Sequence, residues 1–131
     1  MTIGITTAQR NARLQVIATA IDAGTAAATL KIYDGTRPAT GGAVTTLLGT
    51  FTLAYPTPAP SAGAITFSNP ADVTAVATGT ASWARISDST GAFVADLSVA
   101  TASADIIVNS TSISSGQTLK VTSAVINEGN A

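Results

Sequence analysis

"SWARISDSTGAFVADLS", residues 82–98, decides how the rest of the chain is read. Two runs of alternating residues flank Asp88-Ser89-Thr90-Gly91, with the glycine where a tight turn needs a positive φ. Phe93, Ala95, Leu97 and Val99 fall on one face of the second run, with Val94, Asp96 and Ser98 on the other. In the first run Trp83 and Arg85 share a face, opposite Ala84 and Ile86. This pattern is a β-hairpin, and most of the chain around it has the same texture.

Strands are expected at 29–33, 46–53, 63–68, 78–87, 92–99, 105–109 and 117–126, the last carrying Leu119, Val121 and Val125 in alternation. Short strands with turns at near-regular spacing predict an all-β fold, a jelly-roll-like antiparallel β-sandwich over 29–126. One α-helix precedes it, over about 7–23. In "TAQRNARLQVIATAIDAG" (7–24), Leu14, Ile17 and Ile21 fall at i, i+3 and i+7 with Ala18 beside them. Thr7 reads as its N-cap and Gly24 as its stop. Arg10 and Arg13 in the first turns and Asp22 in the last oppose the helix dipole, each at about a few tenths of a kcal/mol when exposed. Either these are uncorrected surface effects or the two arginines face an acidic neighbour. Residues 127–131 read as a loose tail, and 1–131 as a single domain.

Of the 131 residues, 60 are Ala, Thr or Ser and only 34 are large and apolar, so the core is thin. There is no cysteine and no histidine. That removes disulfides, the usual zinc ligands, the base of a Ser–His triad and the Cys nucleophile. Low charge with positive mean hydropathy predicts association with further copies or with another protein. The six Lys and Arg are scattered singly, so no nucleic-acid partner is expected. The first residues lack the layout of a signal peptide and no apolar run has membrane-spanning length, so no membrane partner is expected either.

Asp34, Asp72, Asp88, Asp96, Asp105 and Glu128 could in principle pair as in a glycosidase. Asp34, Asp88 and Asp105 fall at strand ends or turns, where aspartate serves the local backbone. The expectation is therefore a protein that is not an enzyme, with no catalytic residue, cofactor or metal ligand to name. Trp83 with Arg85 is either an aromatic–cation platform that grips a sugar or a partner, or a core anchor with Arg85 at its rim. In the sugar-binding reading Tyr33 joins Trp83. The segments 36–45 and 54–63 hold four of the five prolines and read as extended surface segments, or as arms reaching a neighbour. The candidate protein-interface residues are Arg10, Arg13, Tyr33, Arg37, Pro38, Tyr55, Pro56, Pro58 and Pro60.

A helix ending in Asp22-Ala23-Gly24, the run Leu30 to Pro38 (LKIYDGTRP) and the Trp83 to Asp88 hairpin arm (WARISD) together resemble small virion proteins of tailed bacteriophages, of the head-decoration or capsid-cement type. The resemblance spans most of the chain, on turns and strand ends. It implies a jelly-roll β-sandwich that forms a homodimer or homotrimer on the outer capsid surface and clamps adjacent major capsid protein subunits. The expected location is thus the virion, after synthesis in the bacterial cytoplasm. A tail structural protein (tube, terminator or fibre-associated domain) and a carbohydrate-binding module are the alternatives. No catalytic residue comes with the resemblance.

Overall fold

The computed structural model describes residues 4–128. Its helix, α1, runs Thr7–Ile21 and starts in a capping box: the Thr6 hydroxyl accepts the Gln9 N–H, and the Gln9 side chain accepts the Thr6 N–H. The cap is thus one residue earlier than Thr7. Leu14, Ala18 and Ile21 are buried, with Ile17 packed against them, so the apolar stripe is the docking face. The helix ends at Asp22, short of Gly24.

Among the described residues ten strands follow: β1 (Thr29–Asp34), β2 (Leu47–Thr52), β3 (Ala64–Thr66), β4 (Val73–Thr74), β5 (Gly79–Ser87), β6 (Phe93–Ala100), β7 (Ile106–Val108), β8 (Ser112–Ile113), β9 (Thr118–Leu119) and β10 (Val121–Asn127). Each expected strand is present, although 117–126 is broken at Lys120 into β9 and β10. The two-residue strands β4 and β8 carry no pattern that the sequence reading could use.

The fold is mostly β with one N-terminal helix, but the jelly-roll-like antiparallel sandwich is not what forms. The main sheet has the order β2-β1-β5-β6-β7-β10-β3, with β8 beside β5, and it curls into a mixed half-barrel. The mixed character comes from one pairing, β6 with β7, where Val99 and Ala100 lie parallel to Ile106 and Ile107. Parallel neighbours normally need a long crossover. Here the Asp105 carboxylate accepts the Ser98 N–H and hydroxyl, and Ser98 Oγ accepts the Asp105 N–H, all at 3.1 Å. That reciprocal clasp lets the chain step sideways and continue in the same direction.

The inner face of the curl holds the core. Leu30 and Ile32 of β1, Ala84 and Ile86 of β5, and Leu97 and Val99 of β6 meet Leu14 and Ile21 of α1 there. The small β4–β9 sheet packs beneath β2. Gly49 makes this fit: a Cβ there would lie 2.5 Å from Leu119 Cδ1.

Two irregularities in register redistribute residues between the faces. A bulge between Ile86 and Ser87 sets Phe93 opposite Ser87, while Ala95 stays opposite Ile86. Phe93 thereby leaves the face of Leu97 and joins that of Arg85, 40% exposed. In β10 a shift between Val121 and Ser123 brings Ala124 and Ile126 into the core and leaves Val125 only partly buried. A one-residue slip reverses every side chain beyond it.

Candidate functional site

The outer face of β1, β5 and β6 carries a row of polar and aromatic side chains. Tyr33 pairs with Trp83 across the strands, and their rings stack with centroids 4.6 Å apart. The Arg85 guanidinium lies 5.3 Å from the Trp83 ring and 5.0 Å from that of Phe93. It also makes a two-pronged ion pair with Asp96, Nε to Oδ1 at 2.7 Å and Nη2 to Oδ2 at 3.1 Å. Asp96 raises the Arg85 pKa above its ordinary value, and burial raises that of the Tyr33 phenol.

The segment 36–45 closes over this row as a lid. The Gly42 carbonyl accepts Arg85 Nη2 at 2.9 Å, and the Gly41 N–H donates to Asp96 Oδ2 at 3.3 Å. Trp83 Nε1 donates to the Asp34 carbonyl and to Thr45 Oγ1, both at 3.0 Å. The Thr45 hydroxyl also donates to that carbonyl. Trp83 is 1% exposed and Tyr33 5%, so a sugar-gripping platform of these two rings is not on offer. Tyr33, a candidate interface residue, is thus covered in this fold. Between the lid and β6 remains an open cleft of about 490 Å³, lined by Arg37–Thr40 and Phe93–Asp96. Arg37 is exposed there and Pro38 half-buried.

The second proline-rich segment, 54–63, is strapped to its own helix. At one end the Asp22 carboxylate accepts the Thr57 N–H at 3.1 Å and its hydroxyl at 2.7 Å. At the other, Asn11 Oδ1 accepts the Gly63 N–H at 2.9 Å, and the Arg10 guanidinium covers Gly63 so closely that a Cβ would lie 2.4 Å away. Gly63 also has φ 77°, so it is a glycine for two reasons. Tyr55 and Pro56 are exposed on the strap, and Pro58 and Pro60 are half-buried. In this fold neither segment projects as a free arm.

The acidic neighbour of the helix arginines turns out to lie in the same chain. Arg10 Nε and Nη2 donate to the Glu128 carbonyl at 3.1 and 2.8 Å, and Arg13 Nη1 pairs with the Glu128 carboxylate at 3.1 Å. The Glu128 N–H donates to the Gly63 carbonyl at 2.9 Å. Arg10 and Arg13 are thus occupied within the fold, and Asn127 and Glu128 are held, not loose. The rest of the expected tail, 129–131, lies outside the described residues.

The seven carboxylates share a pattern. Asp22 holds the strap, Asp96 the lid, Asp105 the sideways step and Glu128 the helix. Asp34 Oδ1 accepts the Thr46 N–H at 3.1 Å. Asp88 Oδ1 accepts the Thr90 hydroxyl and the Thr90 and Ala92 N–H groups, which hold its carboxyl below the usual range, the Thr90 hydroxyl most of all. All but Asp72 fasten a turn or a segment, and no two form an acid–base pair. Among the described residues no cluster of three potential metal ligands occurs, and no helix is long and apolar enough to cross a membrane. Sequence reading missed Asp22 and the lid. Proline content marked the segments 36–45 and 54–63 as extended, but nothing in the pattern said that they would fold back. Comparison of the chain with protein-family models, with curated proteins and with solved structures returns no match.

Proposed function

We propose that this chain is a non-enzymatic structural protein of a tailed-phage virion, which binds the outer capsid surface as a homo-oligomer and cements neighbouring major capsid subunits. The observation that carries this reading is the use of the carboxylates: all but Asp72 are spent as fasteners of turns, lid and strap. What remains outside is a rigid body with Thr- and Ser-rich strand faces, an open cleft and a few exposed apolar side chains: Val16, Val44, Tyr55, Val76 and Phe93. Shallow contacts of that kind suit a protein that works by repetition, since modest contacts add up over many linked copies. The resemblance of the Leu30–Pro38 and Trp83–Asp88 runs to capsid-cement proteins supports the same role. With the lid and strap held within the fold, the contacts with the major capsid protein are assigned to Arg37, Pro38 and Tyr55, which reach the surface.

The test is to add purified protein to shells that lack it. Binding that raises their resistance to heat or low salt is the expected result; no binding to shells removes the cement reading. Immunogold labelling of intact particles then separates head from tail, and label confined to the tail transfers the role to a tail structural protein.

A further inference from the structure

The main sheet has two lateral edges, β2 and β3, and the chain treats them differently. Beside β3 the backbone folds back on itself: Ser61 and Ala64 exchange N–H···O bonds of 2.8 and 3.0 Å, which leaves Thr66 as the one outward residue of that short strand. On β2 the bond from the Leu53 N–H to the Ala28 carbonyl, 2.9 Å, fixes the phase of the ladder with β1. Phe51 and Gly49 turn their backbone groups toward β1, and Thr50 and Thr52 turn theirs away. The Leu48 carbonyl accepts the Val76 N–H at 2.9 Å, which seals one end of the strand. Thr50 and Thr52 are left exposed, with outward N–H and C=O groups that meet no partner among the described residues. Neither a lysine nor a proline blunts this stretch, as natural edges usually require.

We propose that β2 is the pairing edge for a second copy of this chain, with a two-fold axis beside Phe51 and antiparallel strands that set Thr50 opposite Thr52 of the second copy. The stretch is self-complementary: each threonine gives one N–H and takes one at its carbonyl. It is also uncharged, and threonines opposite one another are favourable cross-strand neighbours. The nearest cation on that face is Lys31, one strand inward beside Thr50. Across the axis the two Lys31 residues would stand three strands apart, about 14 Å, beyond the ~8–10 Å over which salt leaves charges unscreened. Two residues make a small contact, so pairing is weak in free solution and gains strength where a surface holds copies close together. The inference rests on the self-association part of the proposed function and names the surface that performs it.

Residue-resolved amide exchange by NMR, with sedimentation on the same samples from about 20 μM to about 2 mM, spans the range of a weak contact. The expected result is a dimer at the high end, with Thr50 and Thr52 exchange slowed there and fast at the low end, and Phe51 slow throughout. Thr50→Pro removes an outward N–H that the monomer does not use, so folding persists while the dimer weakens at least about tenfold. Thr50→Lys with Thr52→Lys does the same by repulsion and serves if the proline variant fails to fold. A dimer whose Thr50 and Thr52 amides stay fast overturns the edge but keeps self-association. A monomer at every concentration overturns both, while capsid binding still stands or falls on the shell assay.

Discussion

The two faces of β1, β5 and β6 are built from alternate residues of the same strands, yet they are held by different physics. Inside, Leu30, Ile32, Ala84, Ile86 and Leu97 are buried among aliphatic neighbours from α1 and the rest of the sheet. Their stabilisation scales with area removed from water and is shared among many contacts. Outside, Tyr33, Trp83, Arg85, Phe93 and Asp96 form a single row under the 36–45 lid, each member oriented by the next. Such a network is cooperative: removal of one member leaves others buried without partners. The inner face should therefore tolerate trimming by degrees, and the outer one should fail as a unit.

The largest expected break is Trp83→Ala, which removes the stacking partner of Tyr33 and the donor that ties the lid to Asp34. A loss of about 3–5 kcal/mol is expected in urea unfolding. Ile86→Val on the inner face should cost only about 1 kcal/mol. Next is Asp96→Ala, which strands the covered Arg85 guanidinium at a cost of about 3 kcal/mol. The same variant should speed amide exchange at Gly41, whose N–H loses its acceptor. Its foil is Arg13→Ala: the Arg13 side chain is 56% exposed, against 12% for Arg85, and the change should cost under ~0.5 kcal/mol. Equal losses in the two variants would erase the distinction between covered and open pairs. Gly49→Ala probes the inner face by overfilling, since the new methyl meets Leu119, and should cost about 1–3 kcal/mol. The smallest effect is that of pH on the outer row. Burial raises the Tyr33 pKa above 10.0, so its contribution is intact below that value and is lost as pH rises through the folded-state pKa. Absorbance titration in a Tyr55→Phe background should show the late phenol, and Tyr33→Phe should flatten the alkaline loss of stability.

Local chemistry made much of the fold readable. The helix stripe, the Asp88–Gly91 turn and the seven strand positions are signals carried within a few residues, and each is found. What failed depends on register or on distant partners. By alternation Phe93 falls on the face of Leu97, because the bulge at Ser87 leaves no trace in the hydrophobic pattern. The parallel step from β6 to β7 depends on Ser98 and Asp105, two ordinary polar residues seven positions apart. The arginines of α1 looked unfavourable because their shared partner, Glu128, lies far along the chain, 118 residues beyond Arg10. For the candidate interface, prolines and exposed side chains marked the segments 36–45 and 54–63, yet the docking of lid and strap follows from carboxylates elsewhere. An edge such as Thr50–Thr52 has no compositional mark, since openness there is defined by what other strands do not reach.

The anchorage at Glu128 also bears on how the protein is made. Of the described elements α1 is synthesised first, and its Arg10 must wait for a further 118 residues before its acceptor exists. Until then the seat of α1 is incomplete, because β3, which packs against the helix, still lacks its partner strand β10. The helix is therefore the first of the described elements to be made and should be among the last to lock. A nascent chain stalled before β10 should remain open to proteases along α1, whatever the hairpin of β5 and β6 has already achieved.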